Sequence, residues 1–172
     1  MTHPTILIAC IGNIFLGDDG FGCEVARRLS QRSWPANVKL VDFGIRGFDL
    51  AYALLDGYDV TIFVDATPRG SDPGTVYTIE PALDEIEKID AQAAMVETHG
   101  MNPMKVLSMV KAMGGEFRKI FLVGCEPATF GPEEGQMGLS QEVEAAVGKA
   151  AEVVESLVEQ VIQETEAEVV YE

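Results

Sequence analysis

The chain is poor in the residues that usually announce chemistry. Histidine occurs only at His3 and His99, and cysteine only at Cys10, Cys23 and Cys125. An odd cysteine count with no CxxC spacing argues against a disulfide framework or a structural zinc site. Cys10 and Cys125 lie in strand-like apolar runs, where thiols are commonly buried and inert. There is no GxGxxG, no Walker-type phosphate loop, no HExxH, and no GxSxG elbow after a strand. Asp42-Phe43-Gly44 matches the kinase DFG string, but neither the Gly-rich loop nor the HRD companion exists. No apolar run is long enough to span a membrane. The N-terminus lacks a basic segment ahead of its apolar run, so no signal peptide is expected.

Basic residues are scarce as well. Twelve Lys and Arg stand against 28 Asp and Glu, a formal charge of -16, with a pI near 4.4. Nucleic acid and anionic membrane surfaces are therefore poor partners. Much of this charge sits in the C-terminal third, where it describes a solvated helix face. A reducing cytoplasm is the expected compartment.

What is present is enough for one compact domain, residues 1–172, with an ordinary core: 172 residues, 47% of them hydrophobic. Apolar runs predict strands at Thr5–Ile11, Val38–Asp42, Asp59–Asp65 and Ile120–Cys125, and Thr75–Ile79 alternates as an edge or antiparallel strand would. Helical spacing predicts helices at about Gly20–Arg32, Phe48–Leu55 and Met104–Met113, with Pro103 suited to a first turn. Pro81–Asp90 reads as a short helix or a loop. A last helix begins near Ser140, with Val143, Val147, Ala150, Val154, Leu157, Val158 and Val161 as its stripe. Glu164–Glu172 is expected to be a frayed acidic tail. Strands and helices alternate, which implies an α/β fold with a largely parallel sheet and helices on both faces.

In such sheets, sites form where the carboxyl ends of strands meet the following helices. The stretch Ile6–Gly22 puts an acidic pair, Asp18-Asp19, at that place. Neighbouring residues entering a helix point about 100° apart, so one carboxylate suits capping of backbone N–H groups and the other the cleft. Asp18 is assigned the first role and Asp19 the second, although both could simply cap the helix. Asp65 ends a strand and His99 precedes a helix, so the two carboxylates and the imidazole open on one edge. Together they would make an open three-ligand site for a borderline cation such as nickel or zinc. Each has a blander role as a loop cap or surface hydrogen-bonding group, and Asp42, at another strand end, could be a loop stabiliser. The loops hold no exposed cysteine for a Cys–His pair.

The run Gly12-Asn13-Ile14-Phe15-Leu16-Gly17-Asp18-Asp19-Gly20-Phe21-Gly22 resembles the opening motif of the hydrogenase maturation proteases. The likeness continues through Asp42-x-Gly44 with Gly47, Asp65-Ala66, the His99 loop and Leu122-Val123-Gly124-Cys125-Glu126-Pro127. It implies a three-layer αβα sandwich on a twisted, mostly parallel five-stranded sheet of the phosphorylase/hydrolase-like kind. It also implies an endopeptidase that removes the C-terminal extension of a NiFe-hydrogenase large-subunit precursor after nickel insertion. By this resemblance Asp19, Asp65 and His99 contact nickel carried by the substrate, and no tightly bound cofactor is needed. Some members carry Glu where this chain has Asp19; both offer oxygen ligands. Either Asp19 or Asp65 could act as general base, or the metal could polarise the carbonyl or activate water. Asp42, Gly44 and Gly47 are expected to shape a substrate-contacting loop.

Two other readings fit parts of the pattern. A receiver-like signalling domain also uses an acidic pair after its first strand and a phospho-accepting Asp after its third. It would need a lysine where this chain has Glu126-Pro127, and it has no use for His99. A non-enzymatic nickel carrier would bind free metal tightly, which a set of two carboxylates and one imidazole without thiolate does not favour.

Overall fold

The computed structural model describes residues 3–87 and 102–170. In chain order the described elements are β1 (Ile6–Ile11), a short 3-10 turn (Gly17–Gly20), α1 (Phe21–Leu29), β2 (Val38–Gly44), α2 (Gly47–Leu55), β3 (Val60–Ala66) and β4 (Val76–Ile79). There follow α3 (Leu83–Glu87), α4 (Pro103–Ala112), β5 (Lys119–Cys125) and α5 (Gln141–Val170). The five strands form one sheet in the order β2-β1-β3-β5-β4. All neighbours run parallel except β4, which pairs antiparallel with β5 as its alternating pattern suggested.

The expected αβα layering follows from strand parity. Successive side chains of a strand point to opposite faces. Ile6, Ile8 and Cys10 of β1 join Ile62 and Val64 of β3 in a core beneath α1 and α5, to which Phe21, Val25, Leu29, Val147 and Val154 contribute. Leu7, Ala9 and Ile11 join Phe63 in the opposite core, beneath α2 and α4, with Leu50, Leu54, Leu107 and Val110. Strands β1 and β3 are buried along their whole length. That explains their continuous apolar sequences, because a two-sided core leaves no solvent face.

Two boundaries differ from expectation for local reasons. Helix α1 stops at Leu29 rather than Arg32. The Ser30 hydroxyl donates to the Arg27 carbonyl at 2.6 Å and the Trp34 indole N–H takes the Leu29 carbonyl at 3.1 Å, so side chains satisfy the end of the helix. Strand β2 runs on to Gly44 because the register against β1 slips by one residue there, Cys10 facing Asp42 and Ile11 facing Gly44. At the other end of the chain, where fraying was expected from Glu164, helix α5 continues to Val170. Its last buried residue is Val161. Beyond it the helix is tethered by Glu164, which lies 3.6 Å from Lys119 and accepts from Gln160 at 2.9 Å.

Packing is tight where α1 meets the sheet. A Cβ at Gly22 would stand 2.1 Å from the Ile11 carbonyl oxygen and 2.7 Å from that of Val64. Both are backbone atoms that cannot rotate away. Gly22→Ala should therefore cost about 2–4 kcal/mol of stability or prevent folding. Urea denaturation followed by circular dichroism measures this, with Gly57→Ala as a control, where the added Cβ meets nothing within 4 Å but the φ of +79 imposes a local penalty.

Candidate active site

The strand order places a topological switch between β1 and β3, whose successors leave to opposite sides of the sheet. Open α/β sheets build their sites at this crevice, outside the carboxyl ends of the strands. Asp65 occupies the penultimate position of β3 and Asp19 the 3-10 turn that follows β1. Both lie at this rim: burial pushes each carboxyl up from the usual range, and for Asp65 alone the Asp19 charge is a further cause, second to burial.

Asp65 is 6% exposed. Burial drives its carboxyl well above the ordinary carboxylate range, the Asp19 charge adds to this, and hydrogen bonds from the Ala66 backbone and the Thr67 hydroxyl offset it in part. Asp19 is half-buried. Burial raises its carboxyl too, against one donor, the Asn13 backbone N–H at 3.1 Å. Gly12 makes room for this turn: a Cβ there would meet the Asp19 carbonyl oxygen at 2.0 Å.

Asp18 does accept backbone N–H groups, but not those of its own helix. No side chain caps the 3-10 turn or α1. Its Oδ2 accepts from Ala128 N at 2.7 Å, Thr129 N at 3.1 Å and the Ser140 hydroxyl at 2.9 Å, and its Oδ1 from Ser140 N at 2.6 Å. Burial pushes this carboxyl up, yet the four donors outweigh it and hold it below the ordinary range. The partners lie 110 to 122 residues away in sequence, so no local pattern could have named them.

Asp42 is exposed and folds back on its own turn, its Oδ1 accepting from Gly44 N at 3.0 Å. Gly44 has φ +56, a left-handed conformation that glycine adopts without strain, and Gly47 opens α2. The Cys23 thiol points at Asp42 Oδ1, 3.4 Å away, and at the Gly12 carbonyl. Burial first, then Asp42, pushes that thiol up to about 12, so it stays protonated and is no thiolate nucleophile. His99 lies outside the described residues. Among the described residues no group of three His, Cys, Asp or Glu could hold a metal ion.

Sequence reasoning passed over a clamp on the loop that follows β3. Glu126, 6% exposed, accepts from the backbone N–H groups of Arg69 at 2.6 Å and Gly70 at 3.2 Å. The Tyr77 hydroxyl donates to the Thr67 carbonyl at 2.7 Å, and the Arg69 guanidinium lies over the Tyr77 ring. The signal was an acidic residue directly after a buried strand, where an unpaired charge would be costly.

The profile of the HycI family, described as hydrogenase maturation protease, matches residues 23–157. The chain belongs to the hydrogenase maturation protease family. A Methanocaldococcus jannaschii protein named for that activity is 32% identical over 155 residues, which span 90% of this chain and 96% of the relative. The HoxM hydrogenase expression/formation protein of Azotobacter vinelandii is also 32% identical, over 74% of this chain but only 60% of its own length. Among solved structures, the hydrogenase-maturating endopeptidase HybD of E. coli superposes with a TM-score of 0.70 at 27% identity, covering 91% of this chain and 93% of its own. Membership makes the chain a peptidase of hydrogenase maturation on the expected α/β fold, and no helix among the described residues is long and apolar enough to cross a membrane. The matched segment of the family profile includes Asp65 and begins after Asp19.

The opposite shifts of Asp18 and Asp65 predict opposite thermal behaviour. Asp18 stabilises the fold above the pKa of an unfolded aspartate, and that contribution is lost as pH falls through its lowered folded value. Asp65 acts in the reverse sense: with its folded value raised, stability declines as pH rises above the unfolded value. At pH 7, Asp18→Asn should lose roughly 2–3 kcal/mol, whereas Asp65→Asn should gain about 2–4 °C in Tm. Both differences should shrink below about pH 4, as scanning calorimetry over a pH series will record.

Proposed function

We propose that this peptidase removes the C-terminal peptide of a NiFe-hydrogenase large-subunit precursor once nickel has been inserted. Nickel in the substrate's thiolate site is then the recognition element, completed by Asp19, Asp65 and His99. The observation that carries this reading is the placement of Asp19 and Asp65 at the switch between β1 and β3. Both carboxyls are costly to ionise there, Asp65 in part because of the Asp19 charge, and a cation relieves that cost. Oxygen donors with one imidazole suit a borderline divalent ion already held by softer ligands elsewhere.

Bound beside that ion, the scissile peptide lies against the rim of the sheet. Among the described residues the half-exposed thiol, Cys23, is held protonated and offers no thiolate nucleophile. Hydrolysis then runs through water, with Asp19 or Asp65 taking its proton as general base. The substrate's metal supplies Lewis-acid assistance at the carbonyl. The turn from Asp42 through Gly44 to Gly47 lies beside the same rim, Gly44 O accepting from Gly12 N at 3.0 Å, and contacts the substrate rather than performing chemistry. Glu126 occupies the place where a receiver domain would offer lysine, and both its oxygens are committed to the Arg69 and Gly70 backbone.

The test is incubation with nickel-loaded and nickel-free precursor, reading the mass of the large subunit. Only the loaded precursor should shorten. His99→Ala should keep its circular dichroism spectrum and lose processing, and Asp19→Asn should slow it by at least about a hundredfold. Equal cutting of the nickel-free precursor, or full activity in His99→Ala, would overturn the reading. Tight stoichiometric nickel uptake by the isolated chain without cleavage would make it a carrier.

A further inference from the structure

The thirteen-residue segment from Ala128 to Ser140 begins and ends on a single side chain, the buried carboxylate of Asp18. Both ends of the loop donate to it, and the stretch between is seated on the turn before Asp19 by backbone bonds. Gly17 N donates to Gln136 O at 2.8 Å, Gln136 N to Phe15 O at 2.8 Å, and Asp18 N to Thr129 O at 3.0 Å. The loop and turn expose five large apolar side chains: Ile14, Phe15, Leu16, Phe130 and Met137, the last 67% exposed. This lip joins the carboxylate site without a gap. The Asn13 side-chain carbonyl accepts from Phe15 N at 3.0 Å, while the Asn13 backbone N–H donates to Asp19 Oδ2 at 3.1 Å.

We propose that Asp18 is a positioning residue for substrate binding: its carboxylate closes the Ala128–Ser140 loop and thereby holds Phe130 and Met137 beside Phe15 and Leu16 as an apolar lip. The lip takes apolar side chains of the polypeptide that is cut at the Asp19 and Asp65 crevice. The inference rests on the peptidase reading above and adds a division of labour to it. Asp19 and Asp65 face the reacting bond. Asp18, one residue away and of the same type, faces inward, and its effect on the substrate is exerted only through the loop. Four donors converging on one carboxylate suit this task. An asparagine at position 18 must turn its amide N–H groups toward one or more of those donors, so it keeps the shape and loses the closure.

The decisive measurements are steady-state cleavage and amide hydrogen exchange on the full chain. Asp18→Asn should raise KM for the loaded precursor at least tenfold while kcat stays within threefold. Exchange across residues 129–139 should accelerate at least tenfold, with β1 and β3 unchanged. The double variant Phe130→Ser, Met137→Ser should reproduce the KM rise with no change in exchange at β1, β3 or Ser140. Ser140→Ala removes one donor of the four and should give an intermediate exchange rate, which keeps the loop-closure arm readable if Asp18→Asn does not fold. A fall in kcat at unchanged KM would place Asp18 in the chemistry and overturn the proposal. So would wild-type exchange in both Asp18→Asn and Ser140→Ala, or a wild-type KM in the lip variant. If the wild-type chain cleaves no precursor, the peptidase reading fails, and the exchange data still decide whether Asp18 closes the loop.

Discussion

The site exists because a helix is allowed to touch the sheet backbone. At Gly22 the first turn of α1 rests on the carbonyl oxygens of Ile11 and Val64, and at Gly12 the end of β1 passes under the carbonyl of Asp19. A methyl group at either place would stand far inside contact distance of a backbone oxygen, so helix and strand would have to move apart. With both absent, the 3-10 turn is drawn down over the switch between β1 and β3, and Asp19 comes within electrostatic range of Asp65. Everything else at the rim is arranged around this contact: the Asn13 N–H on Asp19, the Thr67 hydroxyl on Asp65, and the clamp of Glu126 and Tyr77 on the loop beyond.

Three aspartates, two buried and one half-buried, behave differently because donors, and not depth alone, decide the charge of a carboxyl group. Asp18 is the most buried and is the most firmly ionised, with four donors around its two oxygens. Asp65 is almost as buried and carries little more than a threonine hydroxyl and its neighbour's backbone. A carboxylate that is fully satisfied is architecture, and one left short of partners is poised to take up a proton or a cation. By that criterion Asp19 and Asp65 are the members left short of donors, and Asp18 is not.

The fold was legible where the sequence is locally consistent. The runs Ile6–Ile11 and Val60–Ala66 could only be strands buried on both faces, and Asn102-Pro103 marks a helix start, the Asn102 side chain accepting from Met104 N. The placement of Asp19 and Asp65 at one edge was legible too, because Asp19 follows β1 and Asp65 lies at the carboxyl end of β3. Three things were not. Asp18's donors come from a loop more than a hundred residues on, and Glu126 serves a loop 56 residues before it. Such long-range polar pairs leave no periodic trace. The bulge that carries β2 to Gly44 depends on its partner strand, which no single-strand pattern encodes. His99 was named from its place before a helix and lies outside the described residues.

Helix α5 begins at the rim and ends at the opposite edge of the sheet, where Glu164 meets Lys119 at the start of β5. Past Lys149 it carries glutamates and no basic residue, and its final turns cover nothing. Glu164, Glu166 and Glu168 thus stand at the carboxyl end of the helix, where its dipole disfavours anions, and Glu164 and Glu168 are a like-charged pair one turn apart. Added salt screens both penalties and so firms the last turns of the helix.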